Sequence, residues 1–260
     1  MASVHHTDAV GGSSRKIRIR VRRQDGPEKL PYWQEFELPY VPGHNVLSAL
    51  MEIRKNPVDI TGQKVEPIVW ESNCLEEVCG ACSMVVNGRA RQGCTALVDK
   101  LEQPIVLEPM DKFPIIRDLV VDRSRMFDNL KRIKAWVEID GSYPLGAGPR
   151  QDPAEALERY TMSTCMTCGV CLEVCPQVSV DNKFVGAAAI NQARLFNSHP
   201  TGKYKADERI DALMGEGGIT DCGNAQNCVE ACPKHIPLTE SIADVGRQAT
   251  LRAAKKWLGF

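Results

Sequence analysis

Apolar and polar residues alternate at the start of the chain. Between residues 16 and 23, Ile17, Ile19 and Val21 share one face and three arginines occupy the other, a pattern typical of a half-buried β-strand. Asn87-Gly88 is a residue pair that two-residue hairpin turns prefer. Further strands are predicted at residues 33–41, 68–70, 83–86 and 105–107.

One helix is predicted among these strands. Apolar residues recur at helical spacing from Val46 to Ile53, and Asn45 stands where a side chain can cap a helix N-terminus. Several strands with one helix packed across them predict an α+β domain, which we place at residues 15–117. Residues 1–14 are small and polar, and we expect them to be disordered or loosely ordered.

From about residue 115 the pattern becomes helical. Asp152-Pro153 followed by Glu155 predicts a capped helix start, and a glycine- and proline-rich loop is predicted at residues 141–149. Residues 118–260 should therefore form a mostly α-helical domain. Further helices are predicted at residues 187–196, 206–214 and 239–257. One helix face is predicted from Phe127, Leu130, Ile133 and Val137.

Composition narrows the function. Among the 260 residues, 32 basic and 33 acidic side chains give a net charge of −1, so no overall field favours a nucleic-acid partner. No apolar stretch approaches the length of a membrane span, and no secretory signal is visible before residue 14. The 11 cysteines are clustered at short gaps, which suits metal binding in a reducing cytoplasmic setting better than disulfides.

Two cysteine runs lie in the second half. The first has the spacing C-x2-C-x2-C-x3-C-P of bacterial ferredoxins, in which the fourth cysteine ligates a different cluster from the other three. The second run follows the same template, with Ala225 in the second ligand place. Exchanging the fourth cysteines gives four thiolates for a [4Fe–4S] cluster: Cys165, Cys168, Cys171 and Cys232. The other set has three: Cys175, Cys222 and Cys228.

The three-cysteine set predicts a [3Fe–4S] cluster, because the methyl group of Ala225 cannot coordinate iron. A four-iron cluster with water or hydroxide on its fourth iron is the alternative. In the first domain, a C-x4-C-x2-C loop and one later cysteine have the plant-type [2Fe–2S] spacing; the alternative here is structural zinc. The [2Fe–2S] ligands are Cys74, Cys79, Cys82 and Cys94. The three sets together use every cysteine of the chain.

No dinucleotide-binding, Walker A or Ser/His/Asp pattern accompanies the cysteines. The chain is therefore predicted to relay electrons between a donor and an acceptor. In its whole layout, supported by the stretches at residues 117–122 and 163–171, it resembles the iron–sulfur subunits of succinate dehydrogenase and fumarate reductase. The resemblance covers about residues 16–250 and implies a β-grasp [2Fe–2S] domain followed by an α-helical ferredoxin-like domain.

The resemblance also implies partners. They are a flavoprotein with covalent FAD that oxidises succinate and a membrane anchor, often with haem b. Electrons are expected to pass from FAD through the [2Fe–2S], [4Fe–4S] and [3Fe–4S] clusters to quinone. The chain is then expected at the cytoplasmic face of the plasma membrane, attached peripherally through the anchor. Fumarate reduction runs the same path in reverse, and a freestanding multi-cluster carrier or a zinc-binding interaction module are the remaining alternatives.

The sequence departs from the family at the expected quinone pocket. Many ubiquinone-reducing members have aromatic residues, including a tryptophan, shortly after the cysteine that corresponds to Cys175, and here residues 177–180 contain none. The stretches at residues 197–202 and 223–224 are similar to those of menaquinone-linked enzymes from Gram-positive-like bacteria, which predicts menaquinone. The predicted quinone-proximal residues are Pro176, Val180, Gly223 and Ala225.

Overall fold

The computed structural model describes residues 15–137 and 150–259. The strands are β1 (Lys16–Arg23), β2 (Tyr32–Pro39), β3 (Ser83–Val86), β4 (Arg89–Gln92), β5 (Ile105–Glu108), β6 (Ile115–Arg117) and β7 (Val120–Val121). The helices are α1 (Val46–Lys55), α2 (Ser124–Arg132), α3 (Pro153–Ser163), α4 (Val170–Glu173), α5 (Gly186–Ser198), α6 (Ala206–Leu213), α7 (Asn227–Ala231) and α8 (Leu238–Leu258). The predictions for residues 1–14 and 141–149 lie outside the described ranges.

The first five strands form one mixed sheet in the order β2-β1-β5-β3-β4, with β1 parallel to β5 and the other neighbours antiparallel. Ile17, Ile19 and Val21 are buried as their alternation predicted. The buried side of α1 packs against this sheet, and Asn45 accepts the predicted capping bond from the Ser48 N–H at 2.8 Å. This arrangement confirms the α+β prediction for the N-terminal part.

The C-terminal part is helical, with α5 at its centre packed against α8. A buried polar chain joins three helices: the Ser241 hydroxyl donates to Asn191 Oδ1 at 3.0 Å, and Asn191 Nδ2 donates to the Met162 carbonyl at 3.1 Å. Because all these groups are buried and paired, they define how α3, α5 and α8 are aligned. Within the described residues, no helix combines the length and apolar character that crossing a bilayer requires.

Three local predictions were wrong. Residues 68–70 are not a strand, and the chain from residue 115 forms the β6–β7 hairpin before α2 begins. The predicted face of α2 was wrong in part: Ile133 is buried as predicted, but Phe127 is exposed and Met126 and Asn129 are buried in its place. For residues 68–70 and for the hairpin, the contacts of Asp118 described below override the local apolar pattern.

The two hydrophobic cores interleave around the hairpin. Met110 and Phe113 belong to the core of the helical part, although they precede the hairpin. Leu119 then returns to the core beneath the sheet, and Val121 joins the helical core again. The predicted boundary between residues 117 and 118 falls inside this crossing and stays a prediction.

A buried ion pair holds the crossing in place. Arg23 at the end of β1 donates through Nε to Asp118 Oδ1 at 2.8 Å, and the two side chains are 1% and 0% exposed. The Asp118 carboxylate also accepts from the backbone N–H groups of Gln24 (3.2 Å) and Val69 (2.9 Å). Asp118 has φ +48°, a left-handed conformation that ends any helix running through this position.

Replacing Asp118 by Asn is expected to destabilise the chain by about 3 kcal/mol, because it leaves the buried Arg23 guanidinium without its counter-charge. Asparagine tolerates the positive φ, so the effect reports charge and hydrogen bonding rather than backbone strain. The measurement is urea unfolding followed by circular dichroism. Glu37→Gln, which removes the solvent-exposed partner of Lys16, should change the midpoint little. Equal effects of the two variants would contradict the prediction.

Candidate metal centres

The first cysteine site is built by the loop before β3 and the turn after β4. Ser83 pairs with Gln92 in the β3–β4 hairpin, and the Gly93 N–H donates to the Cys82 carbonyl at 2.9 Å. Cys82 and Cys94 flank these paired positions, so the hairpin register brings them together. The Asn87-Gly88 turn, with φ +47° and +74°, sets that register as predicted.

The loop from Cys74 to Cys82 wraps its backbone around sulfur. Cys74 Sγ accepts from the N–H groups of Glu76 (3.5 Å), Val78 (3.3 Å) and Cys79 (3.3 Å). These donors lower the pKa of the Cys74 thiol to about 7, the Glu76 N–H contributing most. Backbone dipoles that stabilise a thiolate here also stabilise the sulfur charge of a bound iron–sulfur cluster.

The inner side of the same site is buried, since Cys82 and Cys94 are almost fully covered. Burial raises the pKa of the Cys94 thiol to about 12, and the neighbouring Cys82 adds to the rise. Because a thiol loses its proton when it ligates a metal, iron binding here must release that proton. An exposed thiolate-stabilising loop and a buried pair of cysteines together fit a cluster bound at the edge of the domain.

The second site joins the two cysteine runs. One cavity is lined by Cys165, Cys168, Cys171 and Cys232, together with apolar side chains including Met126, Ile236 and Leu238. Cys165 follows α3, Cys171 lies in α4, and Cys232 follows α7. The structure therefore brings the last cysteine of the second run to the first three cysteines of the first run.

Burial dominates the chemistry of this second site. It raises the pKa of the Cys168 thiol to about 11 and that of Cys171 well above its ordinary value. Three buried cysteines and the partly buried Cys165, enclosed by apolar side chains, fit a cluster kept from water.

The third site has only three cysteines. Its cavity is lined by Cys175, Cys222 and Cys228, and by Ala225. Residues 223–226 form an exposed loop over it, in which Asn224 and Gln226 have positive φ. The cavity thus carries a methyl group in the sequence position where the first run has a thiol, and it lies closer to the surface than the second site.

Three of the four predicted quinone-proximal residues, Pro176, Gly223 and Ala225, line this cavity. Val180 does not line it, and its side chain is exposed. Gly223 faces the side chain of Gln177, which lies 2.6 Å from where a Cβ would be. Their role towards a quinone stays a prediction.

The first and second sites touch through Gly80. This residue lies between Cys79 and Cys82 with φ +72°, and a Cβ added to it would lie 2.9 Å from Cys168 Cβ and 3.0 Å from the Met166 carbonyl oxygen. The Gly80 carbonyl accepts from Ser83 Oγ at 2.9 Å and from Arg123 Nη1 at 2.7 Å. No side chain larger than hydrogen fits between the two loops without displacing one of them.

The sequence reasoning identified every cysteine of these sites but not the residues between them. Gly80 is one of these, since its closest neighbours lie in the second site's loop. Arg123 and Glu173 were missed; Glu173 accepts from the backbone N–H groups of Asp111 and Lys112, both at 3.1 Å. Only tertiary contacts reveal them.

In residues 15–137 and 150–259, no three His, Cys, Asp or Glu side chains are grouped to hold a single metal ion.

Two family models match the chain. Residues 18–128 match the 2Fe-2S iron-sulfur cluster binding domain, and residues 161–236 match the 4Fe-4S dicluster domain. These matches cover the first site and the pair of later sites, respectively. They favour iron–sulfur clusters over the zinc alternative.

Relatives cover nearly the whole chain. The succinate dehydrogenase iron-sulfur subunit of Bacillus subtilis (strain 168) is 59% identical over 94% of this chain and 96% of its own length. The fumarate reductase iron-sulfur subunit of Mycobacterium tuberculosis (strain CDC 1551 / Oshkosh) is 34% identical over 89% of this chain and 91% of its own.

A solved structure shares the fold. A chain of the Mycobacterium smegmatis Sdh1 complex in the apo form matches with a TM-score of 0.73 and 22% identity, covering 92% of this chain and 98% of that chain. With the domain matches and the relatives, this places an N-terminal [2Fe–2S] ferredoxin domain before a helical ferredoxin-like domain. The chain belongs to the family of succinate dehydrogenase and fumarate reductase iron–sulfur subunits.

Proposed function

We propose that this chain carries electrons in a succinate:quinone oxidoreductase, respiratory complex II. The observation that carries the proposal is the arrangement of the three sites in a row, with the second site between the first and the third. The second site touches the first through Gly80 and Cys168, and it shares α4 and α7 with the third. Bound iron–sulfur clusters supply one-electron transfer, and the chain's own residues hold them in that order.

The proposed ligand sets follow the three cysteine sites. Cys74, Cys79, Cys82 and Cys94 are proposed to hold a [2Fe–2S] cluster, and Cys165, Cys168, Cys171 and Cys232 a [4Fe–4S] cluster. Cys175, Cys222 and Cys228 are proposed to hold a [3Fe–4S] cluster. The support for three irons is that Ala225 lines the third cavity and offers no ligand atom.

The two ends of this path suit different partners. At the first site, Leu75 and Val78 expose apolar side chains on the cysteine loop, which favours contact with a protein surface. We assign this end to a flavoprotein that contains FAD. At the third site, we assign the exposed loop 223–226 to contact with a membrane anchor that holds haem b and menaquinone. The complex would then lie at the cytoplasmic face of the plasma membrane.

The test is electron paramagnetic resonance of the purified complex with succinate as the only reductant. Succinate is expected to reduce the iron–sulfur centres of the complex, so that their reduced-state signals appear. Before succinate is added, the oxidised complex should show a three-iron signal. Menaquinone analogues should then reoxidise the centres faster than ubiquinone analogues do. Clusters that are intact but silent to succinate in a chain that purifies alone would support the freestanding carrier instead.

The same preparation can decide whether the complex oxidises succinate or reduces fumarate. A relative named as a succinate dehydrogenase subunit and one named as a fumarate reductase subunit both match along the chain. Faster turnover with fumarate and a reduced quinol than with succinate and quinone would assign this chain to the reverse reaction. The higher identity to the succinate dehydrogenase subunit favours succinate oxidation.

A further inference from the structure

Arg123 lies at the junction between the first and second cysteine sites. Its Nη1 donates to the Gly80 carbonyl at 2.7 Å, and its Nη2 lies 2.6 Å from Glu71 Oε2. Gly80 in turn packs directly against Cys168, since a Cβ added to Gly80 would lie 2.9 Å from Cys168 Cβ. One guanidinium thus contacts the loop of the first site at the point where that loop meets the second.

The charge of Arg123 reaches the second site. Arginine stays protonated at all ordinary pH values, and this side chain is 18% exposed, against 45% for Glu71. Gly80, whose carbonyl oxygen Arg123 binds, lies against the second site, because a Cβ added to it would be 2.9 Å from Cys168 Cβ. The carboxylate of the pair faces more water, so its field is screened more than that of the guanidinium.

Two other cations each lie beside one of the cysteine sites. Lys234 lines the second cavity, and Lys112 Nζ donates to the Cys175 carbonyl at 2.5 Å beside the third. Arg123 differs from these two because it is bonded to the Gly80 carbonyl, and Gly80 of the first site packs against Cys168 of the second. A charge in that place biases where an electron resides along the path.

We propose that the positive charge of Arg123 sets the redox balance between the first and second sites. Reduction of the second site adds one electron, and so one negative charge, without making or breaking a bond. The electron arrives from the reduced first site and leaves to the third. A nearby guanidinium stabilises that added charge and so favours the reduced form of the second site. The inference rests on the proposed function.

The test is a potentiometric titration of the purified complex, followed by electron paramagnetic resonance of each centre. In Arg123→Met, the ratio of reduced to oxidised second site at a fixed potential should fall about tenfold, equivalent to about 59 mV for one electron. Arg123→Lys keeps the charge and should recover most of that loss. Glu71→Gln removes the opposing charge and should move the ratio upward.

Arg252→Met is the matched control. Arg252 is similarly covered, at 21% exposed, and is paired with Asp211 at 3.0 Å between α8 and α6. Its loss should leave the second-site ratio unchanged. A general loosening of the fold would move the control as well.

An unchanged ratio in Arg123→Met overturns the inference, as do equal falls in the Met and Lys variants, which indicate geometry rather than charge. If Arg123→Met fails to assemble its centres, Glu71→Gln decides: an upward shift supports the role, and no shift overturns it. Failure of the proposed function looks different. In that case the unmodified complex itself shows no succinate-reducible centres.

Discussion

Replacing Cys232 by serine is expected to remove the four-iron centre and to leave the three-iron centre in place. Along the chain, Cys232 stands with Cys222 and Cys228, but it lines the cavity of Cys165, Cys168 and Cys171. Serine is a poor iron ligand because its hydroxyl is deprotonated far less readily than a thiol. The variant should lose roughly four iron atoms per chain, the content of one such cluster.

The measurement combines iron analysis with electron paramagnetic resonance of the oxidised and reduced protein. Cys175→Ser is the matched variant from the other run, and it should remove the three-iron signal while sparing the second site. The [2Fe–2S] signal should survive in both, which separates ligand loss from unfolding. If Cys232→Ser abolishes the three-iron signal and keeps the four-iron one, the exchanged ligand sets are wrong.

Replacing Gly80 by alanine is expected to separate the first site from the second. The backbone at φ +72° costs an L-residue about 1 kcal/mol, and the new Cβ would lie 2.9 Å from Cys168 Cβ. The clash adds a further destabilisation of about 1–3 kcal/mol through overpacking. The neighbouring atoms cannot easily move, since they belong to a cysteine and to backbone rather than to a flexible side-chain end. We expect lowered thermal stability and altered spectra at both sites.

Gly88→Ala provides the control for this variant. Gly88 has nearly the same φ, +74°, and nothing lies within 4 Å of its added Cβ. It therefore carries the backbone strain without the clash. Thermal unfolding of the two variants, together with their spectra, measures the difference. Equal losses of stability with unchanged spectra would show that the contact between Gly80 and Cys168 has no consequence.

Much of the fold could be predicted because its signals are local. The alternation in β1, the Asn45 cap of α1 and the Asp152 cap of α3 all involve residues a few positions apart. The helices at α5, α6 and α8 were predicted within a few residues of their observed bounds. Each of these elements carries its own pattern, so no distant contact was needed to recognise it.

The β6–β7 hairpin could not be predicted in the same way. Asp118 adopts a positive φ because its carboxylate is held by Arg23, Gln24 and Val69. Arg23 is 95 positions away in the chain. The residues next to Asp118 in the sequence give no indication of that bond. The apolar residues around Asp118 therefore predicted a helix.

The candidate sites divide along the same line. Cysteine spacing alone predicted the three ligand sets, because a loop that wraps one cluster needs its thiolates at short and regular gaps. Ala225 was likewise recognisable from its place in the repeated run, and both predictions are compatible with the cavities observed. The family also followed from the sequence, since the order of the three spacings is specific.

Only the tertiary structure decided how the sites meet. That Gly80 packs on Cys168, and that Arg123 bonds to Gly80 over 43 positions, depends on how two separately patterned domains are docked. Docking is set by shape and burial across surfaces that no periodicity encodes. The chain's sequence therefore predicted which cysteines form each site, and the packing of its two parts determined which sites lie in contact.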